Sequence, residues 1–223
     1  MRSCLTLPTC FLMLFAVSAQ AADEPAIEEA AAKPSEVAAP IASVLDDKGI
    51  RVSQGGNPYC EVWLLKSVPI VDNFTPTLSV KYPFTPGQLI GVLKIESADF
   101  TDFRGQQVAA GVYTLRYGRQ PQDGNHLGTS EVEDFLVAIP VADDKSTEPV
   151  TDVKKLFKMS GKAAGANHPA IFSLLPVESA PEKTGIAHEE TRDLWIIETR
   201  STGGADGKTA VPLRLVVIGH AEA

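Results

Sequence analysis

Short runs of alternating apolar and polar residues recur along the chain, separated by turns that are rich in glycine and proline. The clearest run is 111–118 (GVYTLRYG), in which Tyr113, Leu115 and Tyr117 fall on one face. Alternation with a period of two is typical of half-buried strands. About eight or nine runs of this kind, with little helical pattern between them, predict a mostly β fold. We expect an antiparallel β-sandwich with one short helix.

The one predicted helix covers residues 152–160. Leu156 and Phe157 belong to an apolar stripe at helical spacing, Thr151 precedes the segment as a capping residue, and Gly161 follows it. Polar residues before the first turn and glycine after the last one are common signals of helix ends.

The first 21 residues have the features of a cleavable secretory signal peptide. Arg2 gives a positive start, residues 10–17 (CFLMLFAV) form an apolar stretch too short to span a membrane, and residues 19–21 (AQA) match a cleavage site. We therefore expect an exported protein, secreted or periplasmic, whose mature chain begins near Ala22. No later stretch approaches the roughly 20 apolar residues of a transmembrane helix, so we expect no transmembrane segment.

Residues 22–44 are rich in alanine, glutamate and proline and contain no aromatic residue. This composition is typical of disordered segments, because it offers little apolar surface to bury. We predict that the signal peptide over 1–21 is followed by a disordered acidic tether over 22–44. A single β-sandwich domain over 45–223 would complete the chain.

Charge and cysteine content narrow the range of partners. The formal net charge of −8 disfavours non-specific binding to nucleic acid or to an anionic lipid surface, so we expect no nucleic-acid partner. Removal of the signal peptide would leave Cys60 without a second cysteine, which excludes an intramolecular disulfide. Cys60 lies in an apolar run, which favours a buried thiol over a reactive one.

A polar loop follows the 111–118 run and carries the densest cluster of candidate functional side chains. An Asp-Gly step favours a turn, and long loops without secondary structure are more often functional than short ones. A second turn at 167–169 adds polar side chains to the same group. The candidate ligand-binding residues are Arg116, Asp123, Asn125, His126, Asn167 and His168.

A carboxylate and an imidazole that lie close together can ligate a metal or share a proton. This chemistry requires the loop at 123–128 and the turn at 167–169 to lie at the same end of the sandwich, which we predict. The alternative is a plain turn whose Asp and Asn cap backbone groups and whose His is solvated. The four histidines are scattered, so their spacing alone predicts no metal site and no cofactor.

Other patterns point less specifically to chemistry. Residues 203–209 end in Gly-Lys-Thr, but the glycine spacing of a phosphate-binding loop is not met and a strand follows. The GxSxG motif of a nucleophile elbow does not occur. Trp63 and Trp195 are candidates for stacking on sugars, although core packing explains them equally well.

Four segments together resemble a family of exported bacterial proteins of similar length for which no activity is established. The segments are 111–128 (GVYTLRYGRQPQDGNHLG), 134–139, 167–170 and 213–220. The resemblance spans about residues 50–220. In that family the loop more often carries Asp and Met where this chain has Asn125 and Leu127, so one possible metal-binding carboxylate is missing. The resemblance implies a grouping and no mechanism.

Taken together, the sequence favours a non-catalytic binding or structural module of the cell envelope, with an unidentified envelope ligand or protein as its partner. The alternative is a metal-binding protein or metal-dependent hydrolase built around Asp123, His126 and His168. Assembly through exposed sheet edges is a third possibility.

Overall fold

The computed structural model describes residues 24–120, 132–204 and 207–221. The described strands form two sheets with the main hydrophobic core between them. The prediction of a mostly β, antiparallel fold with one short helix is confirmed. In chain order the elements are β1 (Ala26–Ala30), α1 (Ala39–Val44), β2 (Gly49–Gln54), β3 (Asn57–Leu64), β4 (Ser67–Val68), β5 (Leu89–Ile95), β6 (Gly111–Arg119), β7 (Asp134–Pro140), α2 (Val153–Ala164), β8 (Ile171–Ser173), β9 (Gly185–Glu189), β10 (Leu194–Gly203) and β11 (Thr209–Ile218).

Within the described residues, the larger sheet has the strand order β1-β2-β3-β5-β6-β7-β8, and every neighbouring pair is antiparallel. Its register follows from the alternating sequence pattern. Ile50, Val62, Leu93 and Tyr113 lie opposite one another on four successive strands of the sheet. Because a slip of one residue would turn this row to the opposite face, burial of the row fixes the register.

The smaller sheet is built around β10. One side of β10 pairs with β11, and the other side pairs with β9 at residues 194–198 and in parallel with β4 at residues 202–203. None of the described strands pairs with residues 199–201 on that second side. The two sheets meet at one edge, where Leu174 bridges to Leu215 of β11. At the opposite edge β1 and β9 approach each other without forming a ladder.

Helix α2 covers the outer face of β7. Leu156 is buried against Phe135, Val137 and Ile139, which are alternate residues of that strand. Strand alternation therefore places one row of β7 in the main core and the other row under the helix. Among the described residues, neither helix is long and apolar enough to cross a membrane.

The ends of α2 differ from the prediction. The side chain of Asp152 accepts a hydrogen bond from the backbone N–H of Lys155, so Asp152 rather than Thr151 is the capping residue. The helix continues to Ala164, and Gly165 adopts the left-handed conformation that ends it. Gly161 lies inside the helix, where the carbonyl oxygen of residue 166 would be 2.6 Å from an added Cβ. Close packing, and not a helix end, therefore explains this glycine.

The prediction of a disordered tether over 22–44 is wrong for the described residues of that segment. Strand β1 pairs with β2 along its whole length, and α1 buries Ile41 completely. The Nζ of Lys33 donates hydrogen bonds to the carbonyl oxygen of Ala42 in α1, at 3.3 Å, and to that of Leu45 directly after the helix, at 2.9 Å. Ala30, Val37 and Ile41 of this segment are buried in the main hydrophobic cluster, and Ile27 packs against it. This tertiary packing stabilises elements that composition alone does not predict.

Charged side chains also attach β1 to the sheet. Glu28, Arg51, Glu61 and Lys94 lie opposite one another on β1, β2, β3 and β5, with alternating sign. The Nη1 of Arg51 lies 3.2 Å from the carboxylate of Glu28, and its Nη2 lies 2.6 Å from that of Glu61. Opposite charges on directly facing residues stabilise a strand pair, so this row favours the observed register of the N-terminal strand.

Candidate functional site

Three of the residues predicted to bind a ligand, Asp123, Asn125 and His126, lie outside the residues that the structure describes. The expectation that their loop shares one end of the sandwich with the turn at 167–169 therefore stays a prediction. The metal-binding and hydrolase hypotheses, which need Asp123 and His126, stay predictions for the same reason. The other three candidate residues are described and can be placed.

Arg116 is fully buried and bound within the protein, which corrects its assignment to a ligand site. Its Nε and Nη2 donate to the two carboxylate oxygens of Asp144, at 2.6 and 2.8 Å. Its remaining hydrogen bonds go to the carbonyl oxygens of Gly87, Ser146 and Glu148. Alternation along β6 puts Arg116 on the face opposite to that of Tyr113, Leu115 and Tyr117. The loop after β7 covers this face and supplies the carboxylate that compensates the charge of Arg116. Arg116 therefore holds that loop in place.

Asn167 and His168 are exposed in the segment that follows α2. Ser160 anchors the neighbouring Ala170, because the Ser160 hydroxyl accepts a hydrogen bond from the backbone N–H of Ala170 at 3.0 Å. Within the described ranges, no group of three or more His, Cys, Asp or Glu side chains is placed to hold a metal ion. His168 is thus presented to solvent on an anchored turn.

Two buried carboxylates have structural partners. Asp134 accepts hydrogen bonds from the backbone N–H groups of Lys81 and Tyr82 and from the hydroxyl of Tyr117. Asp102 accepts four hydrogen bonds, which tie its own loop to the first residue of β8. Burial raises the pKa of both carboxyl groups. Since their oxygens are occupied by neighbouring donors, both residues organise loops around the sheet.

Cys60 and the two tryptophans fall into different environments. Cys60 is buried, and burial raises the pKa of its thiol, as expected for a packing residue. Trp63 is fully buried in the main core, which confirms the core-packing alternative for this residue. Trp195 is half-buried and stacks on His188, with ring centroids 4.3 Å apart and planes 9° from parallel.

A cleft of about 740 Å³ lies where the two sheets diverge. Strands β1, β2 and β3 contribute one side of it. Residues 199–201 of β10 contribute the other side, at the edge where none of the described strands pairs with them. The cleft exists because β9 begins beside residue 198 and β4 pairs only at residues 202–203, so the smaller sheet has a gap between them. Smaller depressions of about 510 and 350 Å³ lie around Ile70 and Pro83.

The side of the cleft formed by the larger sheet is apolar. Ile27, Ile50, Val62 and Leu64 line it, one or two residues from each of three neighbouring strands. Ile27 lies opposite Val52 in the β1–β2 ladder, and Ile50 lies opposite Val62 in the next ladder. These side chains give the cleft a continuous hydrocarbon surface next to the main core.

The side formed by the smaller sheet carries hydroxyl groups. Thr199 and Ser201 follow Ile197 at alternate positions of β10 and are buried or nearly so, at 5% and 9% exposure. The Oγ1 atoms of Thr184 and Thr199 lie 2.8 Å apart and share a hydrogen bond. The hydroxyl of Ser201 donates to the carbonyl oxygen of Leu65 at 2.8 Å. The cleft thus has an apolar wall that faces a wall of neutral polar groups.

Charged residues surround the cleft, and most of them are already paired. Glu28 pairs with Arg51 at 3.2 Å, and Glu29 pairs with Lys48 at 3.3 Å. The cleft residue Arg200 is exposed, and its side chain has no hydrogen-bond or ion-pair partner among the described residues. The remaining charged lining residues are Asp46, Lys66 and Lys208.

Sequence reasoning missed this cleft, although one signal for it is present. Strand β10 begins with buried apolar residues, but its inward positions change to Thr199 and Ser201 after Ile197. A change from apolar to hydroxyl side chains on an inward face indicates that this face meets something other than the core. The gap between β9 and β4 has no local signal, since it depends on where two distant segments stop pairing.

Comparison of the chain with protein-family models, with curated proteins and with solved structures gives no match. The resemblance to a family of exported bacterial proteins therefore stays a prediction.

Proposed function

We propose that the protein is an exported, non-catalytic binding module of the cell envelope and that it holds a small ligand in the cleft between its two sheets. The observation that carries this proposal is the cleft itself, a space of about 740 Å³ bounded by apolar side chains and by hydroxyl groups. Export is supported by the signal-peptide features of residues 1–21.

The size and chemistry of the cleft support binding of a small molecule. Ligand sites are typically concave spaces of about 300–1,000 Å³, lined mainly by apolar residues with a few polar groups that orient the ligand. The apolar wall includes Ile50 and Val62, and the polar wall includes Thr199 and Ser201.

The buried charged residues elsewhere support a structural rather than a catalytic assignment. Arg116 and Asp144 bind each other and a covering loop. Asp102 and Asp134 accept hydrogen bonds from backbone N–H groups near the sheet. Each of these groups has partners that account for its position.

The test is binding of Nile red, a neutral dye whose fluorescence rises in an apolar site, to the mature protein. We expect saturable binding that Thr184→Trp abolishes, because an indole at this exposed position would occupy the mouth of the cleft. The matched control is Leu78→Trp, at a residue that is 93% exposed and does not line the cleft. Equal binding by both variants would contradict the proposal, and circular dichroism would verify that both are folded.

A further inference from the structure

We infer that the ligand is an anionic amphiphile, a molecule with one apolar chain that ends in a carboxylate or a phosphate. This inference rests on the proposed function and adds the chemical class of the ligand. Three properties of the cleft lead to it: a continuous apolar wall, a hydroxyl donor that no described protein group accepts, and an exposed cation among the lining residues.

The apolar wall fits a hydrocarbon chain. Ile27, Ile50, Val62 and Leu64 line the cleft as one surface that extends across three strands. A flexible chain can follow such a surface and remove it from water, and the free energy of binding then grows with the apolar area buried. Thr199 and Ser201 of β10 line the same cleft, so a polar head group can meet hydroxyl groups while its chain meets the apolar wall.

The hydroxyl pair has a donor to spare. Thr184 and Thr199 together carry two hydroxyl protons, and the hydrogen bond between their Oγ1 atoms uses one of them. Neither Oγ1 atom has a second hydrogen-bond partner among the described residues, so water or a ligand oxygen can accept the remaining proton. The neighbouring hydroxyl of Ser201 donates to the carbonyl oxygen of Leu65 and does not compete for it. A ligand oxygen with lone pairs is the natural partner for the remaining donor.

The charge around the cleft favours an anion over a cation. Of the carboxylates that line it, Glu28 and Glu29 are paired with Arg51 and Lys48. Asp46 accepts a hydrogen bond from the backbone N–H of Lys48 at 3.0 Å.

On the cationic side, Lys66 lies 3.6 Å from Asp47, a weak and exposed contact. Arg200 also lines the cleft, and its side chain lacks a partner among the described residues. It stands between Thr199 and Ser201 on β10, so its exposed side chain lies on the opposite face of the strand from their hydroxyl groups. A guanidinium group binds a carboxylate or phosphate through two parallel hydrogen bonds. The cleft therefore presents a local cation within a protein whose net charge is −8.

The experiment is displacement of Nile red by four compounds with the same 12-carbon chain, each used below its micelle concentration: laurate, dodecyl phosphate, dodecyl maltoside and dodecyltrimethylammonium. The proteins are the mature wild type, Thr184→Trp, Arg200→Gln and Arg104→Gln. Arg104→Gln is the matched control, since Arg104 is exposed and does not line the cleft. Comparison of laurate with dodecyl phosphate distinguishes the two possible head groups.

We expect laurate or dodecyl phosphate to bind at least about fivefold more tightly than the neutral and cationic compounds, as one charge-assisted hydrogen bond at a partly exposed site allows. Arg200→Gln should remove this preference, and Arg104→Gln should keep it. Added salt should weaken binding of the anionic compounds in the wild type.

Other outcomes separate the ligand class from the proposed function. Equal affinity for all four compounds in the wild type, or an unchanged preference in Arg200→Gln, would overturn the anionic class. If Thr184→Trp still abolished binding in that case, the cleft would remain the ligand site. Binding of all four compounds by Thr184→Trp with wild-type affinity would overturn both proposals. Failure of every compound to displace a dye that binds in the cleft would overturn the amphiphile and leave the cleft as the ligand site.

Discussion

The guanidinium group of Arg116 and the carboxylate of Asp144 form a two-point ion pair in which the side chains are 0% and 3% exposed. The pair joins β6 to the loop after β7. Removing one partner of a buried ion pair leaves the other charge without compensation, which is strongly destabilising. The pair therefore controls the position of a loop that covers the outer face of the larger sheet.

We predict that Asp144→Ala lowers the free energy of unfolding by about 3–5 kcal/mol, measured by urea denaturation. The control is Asp143→Ala, which removes an ion pair with Lys162 at 3.0 Å whose side chains are 36% and 58% exposed. Solvent screening limits such exposed pairs to about 1 kcal/mol or less. Losses of similar size in the two variants would show that the buried pair does not hold the loop.

A second prediction concerns the contact between Gly49 of β2 and Trp63 of β3. An added Cβ at Gly49 would lie 2.4 Å from the indole Nε1 of Trp63 and 2.9 Å from the Cβ of Ala30. Because the indole is fully buried and cannot withdraw freely, Gly49→Ala should cost about 1–3 kcal/mol of unfolding free energy.

The matched control for this prediction is Gly185→Ala in β9, where nothing lies within 4 Å of the added Cβ. Both substitutions reduce the freedom of the unfolded chain in the same way, so urea denaturation of the pair isolates the clash. If Gly49→Ala lowered the unfolding free energy by no more than Gly185→Ala does, the indole of Trp63 would not lie over β2.

A third prediction tests the placement of the N-terminal segment. Ile41 is fully buried, and Ile41→Ala should therefore cost about 2–5 kcal/mol of unfolding free energy. Val44 belongs to the same helix but is 37% exposed, so Val44→Ala should cost about 1 kcal/mol or less. Stability unchanged by both substitutions is the result that a disordered tether would give.

The fourth prediction concerns pH. The chain has four tyrosines, and burial raises the pKa of each: Tyr59, Tyr82, Tyr113 and Tyr117, with Tyr59 raised to about 12. The native state then holds the phenol protons more tightly than the unfolded state. The resulting stabilisation is complete below the unfolded pKa of about 10 and is lost as pH rises through the folded pKa values.

Ultraviolet titration of tyrosinate checks this prediction. The native protein should show no tyrosine that ionises with the ordinary pKa, whereas all four should do so in denaturant. A step that corresponds to one tyrosine near pH 10 in the native protein would identify a phenol exposed to solvent and would contradict the buried positions described above.

Local alternation predicted the strands well, because it reports which side chains meet the core. The row containing Val62, Leu93 and Tyr113 is an example, since each residue lies at an alternate position of its own strand. Residues 26–45 were not predicted, because their stability comes from pairing with β2 and from burial of a few apolar side chains, such as Ile41, in the main hydrophobic cluster.

The candidate site was less predictable than the fold. The burial of Arg116 depends on a loop some 30 residues further along the chain, and no local pattern shows which loop covers which face. The cleft depends on where β9 and β4 stop pairing with β10. Only the inward hydroxyls of Thr199 and Ser201 gave a local indication of it, and their meaning is clear only once the inward face of β10 is known.

Binding in the cleft is tested most directly by titrating the ¹⁵N-labelled mature protein with laurate and following the amide chemical shifts. We expect the largest shifts at residues that line the cleft, among them Ile50, Val62, Thr199 and Arg200. Shifts that cluster instead around the smaller depressions, at Ile70 and Val71, would place the ligand there and overturn the cleft as the binding site.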